Sequence, residues 1–180
     1  WSRNLVNIFV SPLTTRELMA ALILLSVVQG LIAFGFIVIL ASLLYAFHIW
    51  ELGFFMIPFF LNVFFFGWAL GFVTTGLIIR FGPSVEIFAW SMPVLFQPLS
   101  AVFYPISVLP EFLKNIAFFV PTSHLFEGMR QVLSLKVFPI EDVIFATVLN
   151  GVYLILGISF FYWMLRVARK RGLLSRFTTD

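Results

Sequence analysis

The sequence predicts an all-α integral membrane protein, a polytopic bundle of transmembrane helices with a re-entrant, proline-broken outer segment before the last span. Of the 180 residues, 62% are hydrophobic and 11% are charged, and the mean hydropathy is +1.09. A soluble domain carries about 25% charged residues, so the composition excludes a soluble globular protein. Four segments approach the roughly 20 apolar residues that a span needs, and the whole chain, residues 1–180, is predicted to form a single membrane domain.

The elements follow one another without a linker of low complexity or an internal repeat. The four predicted spans lie at about residues 18–47, 52–79, 85–104 and 143–165. The remaining segments are residues 1–17 before the first span, residues 105–136 between the third and fourth, and the basic tail 166–180.

The N-terminal segment, residues 1–17, has an apolar and a polar helical face, and Pro12 ends this element. The pattern leaves two interpretations open: an interfacial helix lying flat on the bilayer, or a cytoplasmic docking element for a partner protein. A capping box is predicted immediately afterwards, with Thr14 as the cap and Glu17 three residues on.

The spans contain few polar side chains. Gln29, Asn62 and Asn150 are each an isolated amide in an apolar stretch, and we expect them to form hydrogen bonds between helices. In the second span, Gly67 and Gly71 form a GxxxG motif, which lets two helices approach closely. The motif is common in apolar helices, so it predicts helix packing and not a specific dimer.

The stretch from Gln97 to Arg130 cannot form a plain span. Its prolines are Pro98, Pro105, Pro110 and Pro121. Proline removes a backbone donor and interrupts a helix, and irregular backbone at membrane depth survives only where protein or a water-filled cavity covers it. This stretch is therefore the first candidate for a transport path or gate.

Two short amphipathic helices are predicted on either side of Pro121. Residues 111–120 would make fewer than three helical turns, too short to cross a bilayer. After Pro121, Thr122 or Ser123 is expected to cap the second helix. We expect both helices to dip into the outer leaflet or to lie along it.

His124, Glu127 and Arg130 follow at helical spacing on the second of these helices. Glu127 and Arg130 are three residues apart and can form an ion pair. A His-x-x-Glu pair could also hold a metal or move protons, but a catalytic zinc usually takes three protein ligands. The spacing therefore favours a paired or solvated helix face, and we expect no metal site.

The basic residues predict the orientation, because cytoplasmic segments carry the excess of Lys and Arg. With both ends inside, eight basic residues are cytoplasmic: Arg3, Arg16, Arg80, Arg166, Arg169, Lys170, Arg171 and Arg176. Three are external: Lys114, Arg130 and Lys136. The sequence thus predicts a multi-pass protein of the plasma membrane whose N-terminal segment and C-terminus are cytoplasmic. The tail composition favours this topological role over binding to anionic lipid or to nucleic acid.

Several motifs are absent. The chain has no cysteine, which excludes disulfides and thiolate metal sites. It has no GxxxxGK[ST] phosphate loop and no GxSxG or HExxH motif. An enzyme would have to use His48, His124 and a few carboxylates, so no catalytic residue is predicted.

Two ordered motifs resemble those of the type-2 ABC exporter permeases. Members of that family show P-L-S-x-x-F-Y-P-x-S-x-L-P and then P-x-x-H-x-x-E-x-x-R before the last span. This chain matches the first at Pro98, Leu99, Ser100, Phe103, Tyr104, Pro105, Ser107, Leu109 and Pro110, and the second at Pro121, His124, Glu127 and Arg130. The resemblance extends over essentially the whole chain.

The resemblance implies a half-transporter. Family permeases have six spans, form a dimeric pore as homodimers or heterodimers, and pair with a separate ATP-binding cassette subunit that holds ATP and Mg²⁺. The four predicted spans would then be the last four of six. The resemblance places ATPase coupling on Asn4, Asn7, Ser11, Pro12, Leu13, Thr14, Arg16 and Glu17. It places an outer gate or transport path on Pro98, Phe103, Tyr104, Pro105, Pro110, Pro121, His124, Glu127 and Arg130.

The function expected from this resemblance is export of an amphipathic, lipid-linked or drug-like substrate, driven by ATP hydrolysis in the partner. Membrane lipid surrounds the permease, and no cofactor is expected in this chain. Two alternatives stay open: a membrane-embedded enzyme that uses the outer His124–Glu127 pair, and a non-catalytic scaffold or channel subunit. Fold does not fix the cargo, so the substrate stays undetermined.

Overall fold

The computed structural model describes residues 15–45 and 53–170, and within these two ranges the protein is all-α without a strand. The helices are α1 (Thr15–Tyr45), α2 (Met56–Phe81), α3 (Glu86–Phe96), α4 (Glu111–Ala117), α5 (Pro121–Leu135) and α6 (Ile140–Lys170). Short 3-10 turns lie at Pro83–Val85, Pro98–Ser100 and Ile106–Val108. The chain divides into two compact units, one containing α1 and the other containing α2 to α6.

In the described ranges, three helices are long and apolar enough to cross a membrane. They are Ile23–Leu44 within α1, Gly53–Phe81 with α2, and Ile140–Lys170, which is α6. The predicted all-α, membrane-spanning character is therefore confirmed. Glu17 lies in the first turn of α1, where a carboxylate suits the positive end of the helix dipole. Thr14, the predicted cap, lies outside the described residues.

The third predicted span, residues 85–104, is not one continuous helix. Helix α3 ends at Phe96 after 11 residues, which is about 16 Å at 1.5 Å per residue and about half the hydrocarbon thickness. Pro98 begins a 3-10 turn there and has no N–H to continue the helical ladder. Ala101 then adopts a left-handed conformation with φ of 55°, which redirects the chain.

Helices α2 and α6 run parallel along a common interface, here called the seam. Their contacting pairs, in chain order, are Phe66–Tyr153, Phe72–Phe161 and Arg80–Met164, and Phe55 contacts Phe138 just before both helices begin. Because the residue numbers of the contacting partners increase together along both helices, the two helices run in the same direction. We call the end where both begin the leading end, and the end where both finish the trailing end.

The seam depends on small residues and on buried amides. A Cβ on Gly157 would lie 2.7 Å from the backbone oxygen of Ala69, so two backbones meet there. Nearer the leading end, the Asn150 Nδ2 donates hydrogen bonds to the backbone oxygen and the Oδ1 of Asn62, at 3.0 and 2.8 Å. The predicted interhelical bonding of these two asparagines is confirmed.

The chain between the two parallel helices must return from the trailing end to the leading end. The ring of Phe96, the last residue of α3, contacts Phe66 near the middle of α2, with 5.3 Å between centroids. Further on, Phe126 of α5 contacts Phe59 near the start of α2 at 5.5 Å. The return path therefore combines one short helix with irregular backbone, and it ends in a cluster of short helices at the leading end.

Candidate functional site

The leading-end assembly, residues 97–135, contains the predicted outer gate residues. Its four prolines stand at the starts of successive helical pieces. Pro98 opens the turn 98–100, Pro105 precedes the turn 106–108, Pro110 precedes α4, and Pro121 is the first residue of α5. A fixed φ and a missing donor suit the first positions of a helix. The prolines thus divide this part of the chain into short rigid pieces joined by tight connections.

Hydroxyl groups hold the connection that follows α3, residues 97–105. The Tyr104 hydroxyl donates to the carbonyl of Pro98 at 2.8 Å, which closes residues 98–104 into a loop. Ser100 donates to the Phe96 carbonyl at 2.7 Å, and its Oγ also lies 2.7 Å from the Oγ1 of Thr122. Because the Ser100 hydrogen is already used, the Thr122 hydroxyl must donate in this second bond. A buried bond therefore joins the loop to α5.

Arg130 binds the middle of this loop to α5, and Glu127 binds the turn that follows the loop. The Arg130 Nη2 donates to the carbonyl of Ala101, and the Glu127 Oε1 accepts a hydrogen bond from the backbone N–H of Ile106 at 2.6 Å. The predicted pairing of these two side chains is confirmed, with 3.5 Å between the Arg130 Nη1 and the Glu127 Oε1. Opposite charges cancel within this pair, so the loop is fixed without leaving a net charge.

His124 connects three helical pieces at the other side of α5. Its Nε2 lies 2.8 Å from the carbonyl oxygen of Phe118, and its Nδ1 lies 3.4 Å from the Oδ1 of Asp142 in the first turn of α6. The imidazole also contacts the rings of Phe118 and Phe145, with centroids 5.4 and 4.6 Å away. The Gln131 amide donates to Asp142 at 2.8 Å, which completes a small polar cluster between α5 and α6.

The predicted capping role of Thr122 or Ser123 is wrong. Helix α5 has Val120 as its cap and no side-chain capping bond. The Ser123 Oγ instead lies 2.6 Å from the Ala117 carbonyl and 2.8 Å from the Val120 carbonyl. The reason is that Pro121 already supplies a residue without an N–H at the start of the helix, and both hydroxyls point back to the broken segment.

His124 and Glu127 have different partners in this arrangement. His124 contacts Phe118 and Asp142, whereas Glu127 contacts Ile106 and Arg130. Across residues 15–45 and 53–170, no group of three His, Cys, Asp or Glu side chains is placed to hold a metal ion. The chemistry available here is hydrogen bonding that holds an irregular backbone in place.

Sequence reasoning missed one member of this cluster. Asp142 is an acidic residue at the start of the last span, and this position was interpreted only as a boundary. A carboxylate in the first turn of a helix is favoured by the helix dipole. The sequence signal was a carboxylate directly before the last span, shortly after the amphipathic segment that contains His124. It could have indicated a partner for His124.

The other predicted functional residues lie outside the leading-end assembly. Gly67 and Gly71 are on α2 but do not contribute to the seam, since no described atom lies within 4 Å of a Cβ built on either residue. Arg16 and Glu17 are in the first turn of α1. Outside the described residues lie Asn4, Asn7, Ser11, Pro12, Leu13 and Thr14.

No family model, no curated protein and no solved structure matches this sequence. The resemblance to the exporter permeases therefore rests on the two motifs of the leading-end assembly. It stays a prediction.

Proposed function

We propose that this chain is the membrane-spanning permease subunit of an ABC-type exporter in a plasma membrane. It moves an amphipathic, lipid-linked or drug-like substrate out of the cytoplasm. A separate ATP-binding cassette subunit binds ATP and Mg²⁺ and supplies the energy, and a second permease copy completes the pore. The chain itself acts by changing conformation and carries out no chemical step.

The observation that supports this most is the use of the motif residues in the leading-end assembly. Among the residues that the two motifs share with the exporter permeases, the four prolines start or directly precede its helical pieces, and five polar residues bond these pieces together. The hydrogen-bonding members are Ser100, Tyr104, His124, Glu127 and Arg130. A protein that needed a static bundle could use a plain helix here. The division of the leading-end assembly into short helical pieces favours a segment that changes conformation.

The parallel course of α2 and α6 supports a gate at membrane depth. The chain between them returns to the leading end through the 11-residue α3 and irregular backbone. Such backbone is tolerated within a bilayer only under a protein cover or beside water. In a transporter, the leading-end assembly would close the path to the outside, and ATP-driven motion would open it.

The charge distribution supports an orientation with the leading end outside and the trailing end cytoplasmic. At the trailing end lie the cations Arg80, Arg166, Arg169 and Lys170, and the leading-end assembly carries Lys114 and Arg130, with Lys136 directly after it. The excess of basic residues at the trailing end favours the cytoplasmic side for that end. The proposed coupling segment, which ends in Arg16 and Glu17, would contact the ATPase from the same side.

The test is to purify the full-length protein from its native membranes in mild detergent and to identify what accompanies it. We expect a stoichiometric ATPase whose hydrolysis rate changes when the permease is present. The Arg16→Glu variant should lose transport while it inserts normally, and Lys136→Glu, which reverses an exposed charge directly after the leading-end assembly, should keep transport. A protein that purifies alone, or that turns over a substrate without ATP, would overturn the proposal.

A further inference from the structure

Arg80 occupies an unusual position at the trailing end of α2. Its guanidinium carbon lies 5.0 Å from the ring centroid of Phe81 and 6.0 Å from that of Trp163 on α6. The single acceptor that it contacts among the described residues is the Met164 thioether, at 3.5 Å from Nη1. Arginine has five N–H donors in a planar fork, and sulfur is a weak acceptor. Most of the hydrogen-bonding capacity of this side chain is therefore free.

Further cations lie beside Arg80 on α6. Trp163, Arg166 and Lys170 are spaced by three and four residues, so they share one helical face. Trp163 contacts Arg80, which places Arg80 at the start of this row. Arg166 and Lys170 are both exposed. The three cations therefore form one basic patch that continues from the end of α2 along the end of α6.

No carboxylate neutralises this patch within the part of the chain that the structure describes. The ion pairs Glu111–Lys114 and Glu127–Arg130 lie at the leading end, and Asp142 there contacts His124. Arg80, Arg166 and Lys170 have no such partner among the described residues. Excess positive charge therefore concentrates at one end of the two membrane-spanning helices, and an anion would complement it.

We propose that this patch binds the phosphodiester headgroup of an anionic phospholipid. Guanidinium groups suit phosphate oxygens because their N–H donors can bind two of them at once. The patch also borders exposed apolar rings, since Phe81 is 53% and Trp163 55% exposed, and tryptophan favours the level of the headgroups. These rings would contact the glycerol and upper acyl chain, which a free phosphate lacks. The inference needs only the membrane-spanning helices and does not depend on the proposed transport function.

Native mass spectrometry of the full chain tests this directly. The purified protein is incubated in detergent with phosphatidylglycerol, or with phosphatidylcholine as the neutral comparison, and the bound lipids are counted. Each basic residue near an anionic surface contributes about 1 kcal/mol, so Arg80→Gln and Arg166→Gln should each weaken phosphatidylglycerol binding roughly fivefold. Lys114→Gln removes the same charge at the leading end and should leave binding unchanged.

Three results would overturn the proposal. The first is equal binding of phosphatidylglycerol and phosphatidylcholine by the unmodified protein. The second is an equal loss in Lys114→Gln, which would indicate an effect of overall charge. The third is full competition by soluble glycerol phosphate, which would indicate a site for a free anion. If Arg80→Gln fails to fold, the exposed Arg166 carries the test, because its replacement leaves the seam intact.

Discussion

The seam and the leading-end assembly belong to the same compact unit but depend on different forces. In the seam, backbones meet at Gly157 and Ala69, and aromatic rings fill the space above and below. In the assembly, polar side chains such as Glu127 and Arg130 bond to backbone groups of a loop. Close packing tolerates little displacement, whereas hydrogen bonds to a loop can be exchanged one at a time. This difference makes the seam the scaffold and the assembly the part suited to move.

The largest effect is expected where the seam is tightest. In Gly157→Val, the new Cβ would lie 2.7 Å from the Ala69 carbonyl oxygen, and this obstacle is backbone that cannot rotate away. We expect a loss of about 3 kcal/mol, the upper part of the range for overpacking, measured as a lower thermal midpoint in detergent.

The matched control for this change is Gly67→Val, which adds the same side chain to α2 where no described atom lies within 4 Å. Its midpoint should stay close to that of the unmodified protein. If Gly67→Val were as harmful as Gly157→Val, another helix would have to cover Gly67. The predicted GxxxG packing would then apply to an interface beyond the seam.

The second effect concerns the loop that Arg130 holds. Arg130→Met leaves the Ala101 carbonyl without this donor and Glu127 without its cation, which should lower the free energy of unfolding by about 2 kcal/mol. Hydrogen exchange should rise at the Ile106 amide and remain unchanged in the seam. Lys114→Met should produce neither change, because its ion-pair partner Glu111 is 86% exposed and surface ion pairs contribute little. Equal acceleration in the seam would show that the two regions open together.

The contrast between these regions also explains which features the sequence could predict. Three of the four predicted spans and the Asn62–Asn150 bond were predictable, because long apolar runs and isolated amides have one common solution in a bilayer. Pairing of Glu127 with Arg130 followed from helical spacing. These predictions depend on one element, or on a polar group that has few possible partners.

Features that depend on how elements meet were not predictable. The GxxxG motif at Gly67 and Gly71 indicated close packing, but the seam uses Gly157, since a motif does not specify which helix face meets a neighbour. Likewise, Ser123 was expected to cap α5, but its hydroxyl contacts the Ala117 carbonyl. The early end of α3 was also not predicted, because the span was expected to continue through Pro98 to residue 104.

A third, smaller effect is expected from the amides of the seam. Asn62 and Asn150 are buried, and the Asn150 Oδ1 has no donor among the described residues. Asn150→Leu should lose about 1 kcal/mol, because it removes two donated hydrogen bonds that in membranes contribute about 0.6 kcal/mol each on average, and removal of the unpaired oxygen offsets a small part of this loss. The double variant with Asn62→Leu should be less destabilised than the sum of the two single changes. Strict additivity would mean that the bond between the two amides contributes nothing.

The smallest effect should come from Ser123, although its side chain is fully buried. The two carbonyls that it contacts, those of Ala117 and Val120, already accept backbone hydrogen bonds from Val120 and Ser123. Neither oxygen is left unpaired in Ser123→Ala, so the loss should stay at about 0.5 kcal/mol, the lower limit for a hydrogen bond. Ser134→Ala, which removes an exposed bond within α5, is the control and should change nothing. A loss above about 2 kcal/mol in Ser123→Ala would show that the α4–α5 connection is as rigid as the seam, and the assembly would then have to move as one body.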